Sequence, residues 1–211
     1  MRGWRRTRLV AATVAAVAAL GAVVRVRLLD PHVVRTMGGP ALVYTIRGDG
    51  ARVRVLRCGG VYQSATYLGD RRMEPVFEYY RAFGRLFDLR SAARRVLVVG
   101  GGGFAFPKMV ASGHPGVRTD VVEIDPAVIN IARRWFFLDD AIARARADGG
   151  DLRVIRDDGR AFLECGAGPY DAVVLDAFVG ADPVRSLATV DALRAARRSL
   201  ASGGVLLANV V

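Results

Sequence analysis

The stretch Val96–Phe106 reads VLVVGGGGFAF: an apolar run, four glycines and a segment able to start a helix. Without side chains at Gly100 and Gly102, backbone can approach a ligand closely, and the free N–H groups of the following helix can receive it. A bare turn between strand and helix would use the same glycines. The residue that argues for a nucleoside is Glu123, about 20 residues further on at the end of the next apolar run, where a carboxylate reaches both hydroxyls of a ribose. A third run ends in Asp157, Asp158 and Gly159. One of these acids can accept a hydrogen bond from an adenine amino group while the other caps a helix beginning near Gly159; Asp158 is assigned to the base and Asp157 to the cap. The fourth run, YDAVVLDAF, ends at Asp176, beside the place where the reactive group of a bound nucleoside would lie. An aspartate there can equally serve to order its loop.

Such residues converge only if strands carry them to one edge of a sheet. From Arg95 onward, apolar β-branched runs alternate with helical segments, the pattern of a doubly wound, mostly parallel α/β sheet of Rossmann-like type, covered on both faces. Ligands in these folds sit beyond the carboxyl ends of the strands. Upstream, the run from Ala41 to Leu68 is β-rich and broken by Gly-Asp-Gly and Gly-Gly turns, which predicts an antiparallel unit of two or three strands. The segment Pro75–Leu89 places Phe77, Tyr80, Phe83 and Phe87 at helical spacing behind a first-turn proline and predicts a core-facing helix. The chain thus divides into an N-terminal apolar segment over 1–30, a small β-rich domain with its helix over 40–90, and a nucleoside-binding domain over 91–211.

Of the 211 residues, 52% are hydrophobic and 24% charged, with a net charge of +11 that comes from arginine, Lys108 being the only lysine. The arginines are scattered, with no basic stripe and no finger or RNA-recognition signature, so no nucleic-acid partner is expected. Cys58 and Cys165 are too few for a disulfide framework and read as core thiols. His32 and His114 have no second ligand at metal spacing, so no metal site is expected. The uncharged run Leu9–Val24 follows Arg2, Arg5, Arg6 and Arg8. It is longer than a signal-peptide core of roughly 7–15 residues and shorter than a span of about 20. It predicts an uncleaved membrane anchor with the catalytic domain on the cytoplasmic side; cleavage near Gly21 and secretion is the alternative.

In order and spacing, the segments YQSATYLGDRRMEPVFEYY, VLVVGGGG, VVEIDPAVINIAR, DDGRAFL, YDAVVLDAF and LASGGVLLANVV resemble spermidine synthases. Those enzymes share the fold of class I S-adenosylmethionine-dependent methyltransferases, and the resemblance extends to divergent, membrane-associated bacterial relatives. It implies that Gly100 and Gly102 line an adenosyl compound, Glu123 holds its ribose, Asp158 and Gly159 border its adenine, and Gln63 lies near the nucleoside. The compound is decarboxylated or intact S-adenosylmethionine, and the second substrate is a small amine.

Three segments depart from the family pattern. Gly103 stands where an aspartate grips the amine of the decarboxylated compound, Phe77 and Tyr79 stand where a tyrosine and a glutamate are usual, and after Asp176 only the more distant Asp182 follows. Aminopropyl transfer requires an amine that has lost its proton, and Asp176 is the candidate base, a role that contributes about 10²–10⁴-fold. A methyltransferase, or a module that binds the nucleoside without turnover, is the alternative. The last strand of the sequence is apolar, which predicts an edge that further chain or a partner such as a second copy covers.

Overall fold

The computed structural model describes residues 29–48, 50–180 and 182–210. The run Leu9–Val24 lies outside them, and no described helix is long and apolar enough to cross a membrane. Four strands, β1 (Leu29–Thr36), β2 (Gly39–Gly48), β3 (Ala51–Cys58) and β4 (Val61–Tyr67), pair antiparallel in chain order. Gly59 and Gly60 close the last hairpin with φ of 59° and 84°, the doubly left-handed backbone that a two-residue turn requires. The sequence predicted two or three strands from Ala41. It missed β1 because that strand carries Pro31, a positive φ at Asp30 and a register shift between Leu29 and His32, which erase the alternation that marks a strand. Ala41, Val43 and Leu56 of this sheet pack on Ile131 and Phe136 of the larger unit.

The predicted helix over Pro75–Leu89 is two shorter ones, α1 (Glu78–Gly84) and α2 (Leu86–Leu89). Pro75 bridges to Thr66 instead of opening a helical turn, so the chain stays extended through Phe77. The aromatic stripe does face the core, where Tyr80 and Phe83 are buried and Phe77 and Phe87 pack beside them.

Then β5 (Arg95–Val99), α3 (Ala105–Gly113), β6 (Arg118–Glu123), α4 (Pro126–Trp135), α5 (Leu138–Ala147), β7 (Asp151–Arg156), α6 (Gly159–Glu164), β8 (Tyr170–Leu175), a short hairpin of β9 (Phe178–Val179) with β10 (Asp182–Pro183), α7 (Val190–Arg198) and β11 (Leu200–Ala208) follow. The five long strands form one parallel sheet in the order β11-β8-β5-β6-β7. On the central β5, Val96 and Val98 belong to the core with α3 and α5, while Leu97 and Val99 belong to the opposite core with α6 and α7. This two-residue period explains a run that is apolar throughout. The chain winds one way from β5 to β7 and the other way to β8 and β11, so the switch point lies between the carboxyl ends of β5 and β8. Among the described residues β11 is an edge strand. The two cysteines are not core thiols: Cys165 is exposed after α6 and Cys58 is half-buried at the end of β3. Among the described residues no three potential metal ligands are grouped.

Lys108 is fully buried in α3, where its Nζ donates to Thr66 Oγ1 at 2.7 Å and to the Arg72 carbonyl at 2.9 Å. It ties the glycine-loop helix to the small sheet. Burial, reinforced by the Arg72 charge and opposed by Asp140, pushes the ammonium down to about 7 from 10.5. Between these values the folded chain binds fewer protons than the unfolded chain, so this group adds stability as pH rises, at up to about 1.4 kcal/mol per pH unit. Lys108→Met is expected to remove that rise. Denaturant midpoints at about pH 7 and about pH 10 check it, and an equal increase in parent and variant contradicts it.

Candidate active site

Because Val99 pairs with Leu175 in register, Gly100 and Asp176 leave the sheet side by side at the switch point. Gly100 has a φ of 98°, and a Cβ there would fall onto the Asp176 carbonyl. Glycine is required twice over: by the left-handed backbone and by the contact between the two strand ends. Around this point opens a cavity of about 540 Å³, bordered by Gln63, Gly100, Gly102, Glu123, Asp158, Gly159 and Asp176. The structure therefore gathers every site residue predicted from the sequence.

Glu123 ends β6, and its carboxylate is fixed by three backbone amides. Oε2 accepts from Gly101 at 2.8 Å and Gly102 at 3.3 Å, and Oε1 accepts from Asp125 at 2.9 Å. The next acid, Asp125, caps α4 by accepting from Ala127 at 2.8 Å and also accepts from the Met37 amide of the small sheet at 2.6 Å. Sequence reasoning left Asp125 out, although an aspartate followed by a proline at the first helical position is a signal for a cap.

Two assignments change. Asp158, expected to be left for the base with Asp157 as the cap, is itself the cap of α6, accepting from Ala161 at 2.9 Å. Asp157 is exposed, lies off the cavity and accepts from the Asp158 amide. Asp158 still borders the cavity with its second oxygen available. Gly103, where a relative presents an aspartate, is buried; a Cβ there would meet Ser64 Oγ and, at 2.7 Å, the Phe136 ring. An aspartate at 103 would have to displace that packing, so Gly103→Asp is a stability variant and no clean probe of specificity.

Asp176 is half-buried beside two partners. Tyr79 Oη donates to Oδ2 at 3.4 Å and Asn209 Nδ2 donates to Oδ1 at 3.1 Å. Burial raises its pKa to about 6, against the lowering effect of the Asn209 and Tyr79 hydrogen bonds. The Tyr79 hydroxyl is pushed far up, by burial first and then by the neighbouring Tyr80 and Asp176, so it is a donor and not a phenolate. Asn209 sits just beyond β11 and was missed as a site residue, since nothing local distinguishes it from any polar residue after a strand. Gln63 Nε2 donates to the Gly180 carbonyl at 2.7 Å, anchoring the hairpin that follows Asp176 to β4. Asp182, in that hairpin, is exposed and does not line the cavity.

A doubly wound sheet that brings a glycine loop, a strand-end glutamate and a half-buried aspartate to its switch point is an α/β fold of the methyltransferase type. The spermine/spermidine synthase domain matches residues 86–209, and the chain belongs to that family. It is 35% identical over 149 residues to a polyamine aminopropyltransferase of Vibrio vulnificus, covering 70% of this chain and 48% of that protein. It is 30% identical over 116 residues to putrescine N-methyltransferase 1 of Nicotiana tabacum, covering 54% and 29%. A probable spermidine synthase from Corynebacterium glutamicum superposes with a TM-score of 0.69 at 24% identity, covering 85% of this chain and 63% of that one. The chain thus spans about half the length of the Vibrio relative.

Proposed function

We propose that this chain binds an S-adenosyl nucleoside in the switch-point cavity and transfers its aminopropyl group to an amine, with Asp176 as the base. The observation that carries this reading is Asp176 itself: a half-buried carboxylate at the strand end, hydrogen-bonded by Tyr79 and Asn209, with its pKa raised to about 6. The cavity suits the nucleoside in size, the glycine loop admits close approach, and Glu123 and Asp158 supply acceptors for hydroxyl and amino groups. The sulfonium of the bound compound makes the adjacent carbon electrophilic. Asp176 holds the attacking amine and takes its proton, Tyr79 and Asn209 keep the carboxylate oriented, and Gln63 keeps the following hairpin over the site. Family membership supports the same reading, as does the aminopropyltransferase activity named for the Vibrio relative.

The test is to incubate the protein with an amine mixture and either decarboxylated or intact S-adenosylmethionine, and to identify the nucleoside product by mass spectrometry. Methylthioadenosine formed from the decarboxylated compound is the expected result. S-adenosylhomocysteine formed from the intact compound establishes methyl transfer instead, and absence of both products reduces the chain to a binding module.

A further inference from the structure

The acids around the cavity are of two kinds. Glu123 and Asp125 are engaged by backbone amides through both carboxylate oxygens, and Asp158 by its capping bond. These fix loops and helix starts, and they follow β6 and β7, two and three strands away from β8 and Asp176. Asp176 instead is contacted by side chains from α1 and from the end of β11, and the cavity wall around it is aromatic. Tyr79 and Tyr80 stand with ring centroids 4.0 Å apart, and Phe77 lies 6.2 Å from each. Phe178 and Val179 continue the wall from the hairpin after Asp176. The other acids of these segments are turned to solvent. Glu78 is 86% exposed beside Arg81, Glu74 pairs with Arg71, and Asp182 is exposed.

We propose that the acceptor of this site is a primary monoamine with an apolar body, such as an alkylamine or arylalkylamine, and not a diamine. The inference rests on the reading of the cavity as an aminopropyl-transfer site. One carboxylate neutralises one ammonium. A second ammonium, at the far end of a diamine, would meet rings and aliphatic groups on the Asp176 side of the cavity. The other carboxylates that line it, on Glu123, Asp125 and Asp158, stand at the ends of β6 and β7, two and three strands away. A charge that leaves water without a partner carries a large cost. The ring faces would attract a cation, but an aromatic face repays less than a carboxylate does. An apolar body gains from the same wall. In the reaction the neutral nitrogen's lone pair forms the bond to the aminopropyl carbon, the carbon–sulfur pair returns to sulfur to give the neutral thioether, and the ammonium proton passes to Asp176.

The experiment separates acceptor class from turnover. With methylthioadenosine bound, calorimetry compares n-butylamine with 1,4-diaminobutane, which differ only by the second nitrogen. The monoamine is expected to bind at least about tenfold more tightly, a difference of about 1.4 kcal/mol, and Phe77→Glu is expected to reverse the order. Phe178→Glu serves the same purpose if the first variant does not fold. Equal or tighter binding of the diamine by the parent overturns the inference, as does failure of both amines to bind. Turnover of decarboxylated S-adenosylmethionine with the same amines is measured separately. Retained monoamine preference without turnover sinks the transfer reading and leaves the assignment of acceptor class standing.

Discussion

Asp176→Asn is expected to lower turnover by about 10²–10⁴-fold, the usual contribution of a positioned base, while nucleoside affinity stays within a few-fold of the parent. The carboxylate accepts its protein bonds from Asn209 and Tyr79, and an asparagine keeps the shape and one acceptor but has no site for the proton of an ammonium. The pH profile follows from the pKa of about 6 that burial imposes. Parent activity should fall as pH drops through about 6 and the base becomes protonated, and the asparagine variant should lack that limb. Stability has the opposite sign. With its folded value raised above the ordinary 3.8, Asp176 binds more protons in the folded than in the unfolded chain between those values, so its contribution is favourable at low pH and lost as pH rises through about 6. At neutral pH the ionised group is a cost, on the order of 2–3 kcal/mol for two pKa units. The asparagine variant should therefore be less active and at least as stable, the trade expected of a group kept for chemistry. If Asp176 instead serves to order its loop, the variant loses stability and activity together; thermal unfolding beside steady-state kinetics distinguishes the two.

What the sequence revealed of this site is what strands encode locally. Gly100, Glu123, Asp158 and Asp176 each end or follow an apolar run, and a doubly wound sheet carries such ends to one edge whatever the helices do. Contacts made across the chain stayed hidden. Tyr79 and Asn209 reach Asp176 over 97 and 33 residues; Tyr79 lies in a helix, and Asn209, although it follows β11, carries no charge to mark it. The choice between Asp157 and Asp158 turned on which side chain points back over its own helix, a matter of two dihedrals that residue type does not set. Strand β1 was lost to Pro31 and its bulge. Gly103 was read as a missing charge, whereas its surroundings, Ser64 and Phe136, come from β4 and from beyond α4, packing that no spacing along the glycine loop discloses.

Glu123→Ala is expected to weaken adenosyl-nucleoside binding by at least about a hundredfold. The carboxylate already accepts three amide bonds and has about four acceptor positions. One position remains, on Oε1, and the Gly102 bond at 3.3 Å is the longest of the set. Gripping both hydroxyls of a ribose therefore uses the open position and draws the Gly102 bond further out, so ligand and glycine loop share one carboxylate. Removing it deletes two charge-assisted bonds to the ligand, at about 1.5–3 kcal/mol each, and also releases the amides of Gly101, Gly102 and Asp125. The alanine variant should thus lose stability as well, by about 1–3 kcal/mol, because partly buried donors are left without an acceptor. Glu123→Gln separates the two effects. Its single oxygen can keep the Gly101 and Gly102 amides, while its NH₂ group replaces the acceptor of the Asp125 amide and faces hydroxyls that can accept from it. Stability should therefore fall by less than in the alanine variant and affinity by roughly tenfold, one lost charge-assisted bond. Calorimetric titration with methylthioadenosine, beside thermal unfolding of all three proteins, reads both quantities. Equal affinity in parent and alanine variant would mean that Glu123 holds the loop alone and that the ribose is bound elsewhere in the cavity.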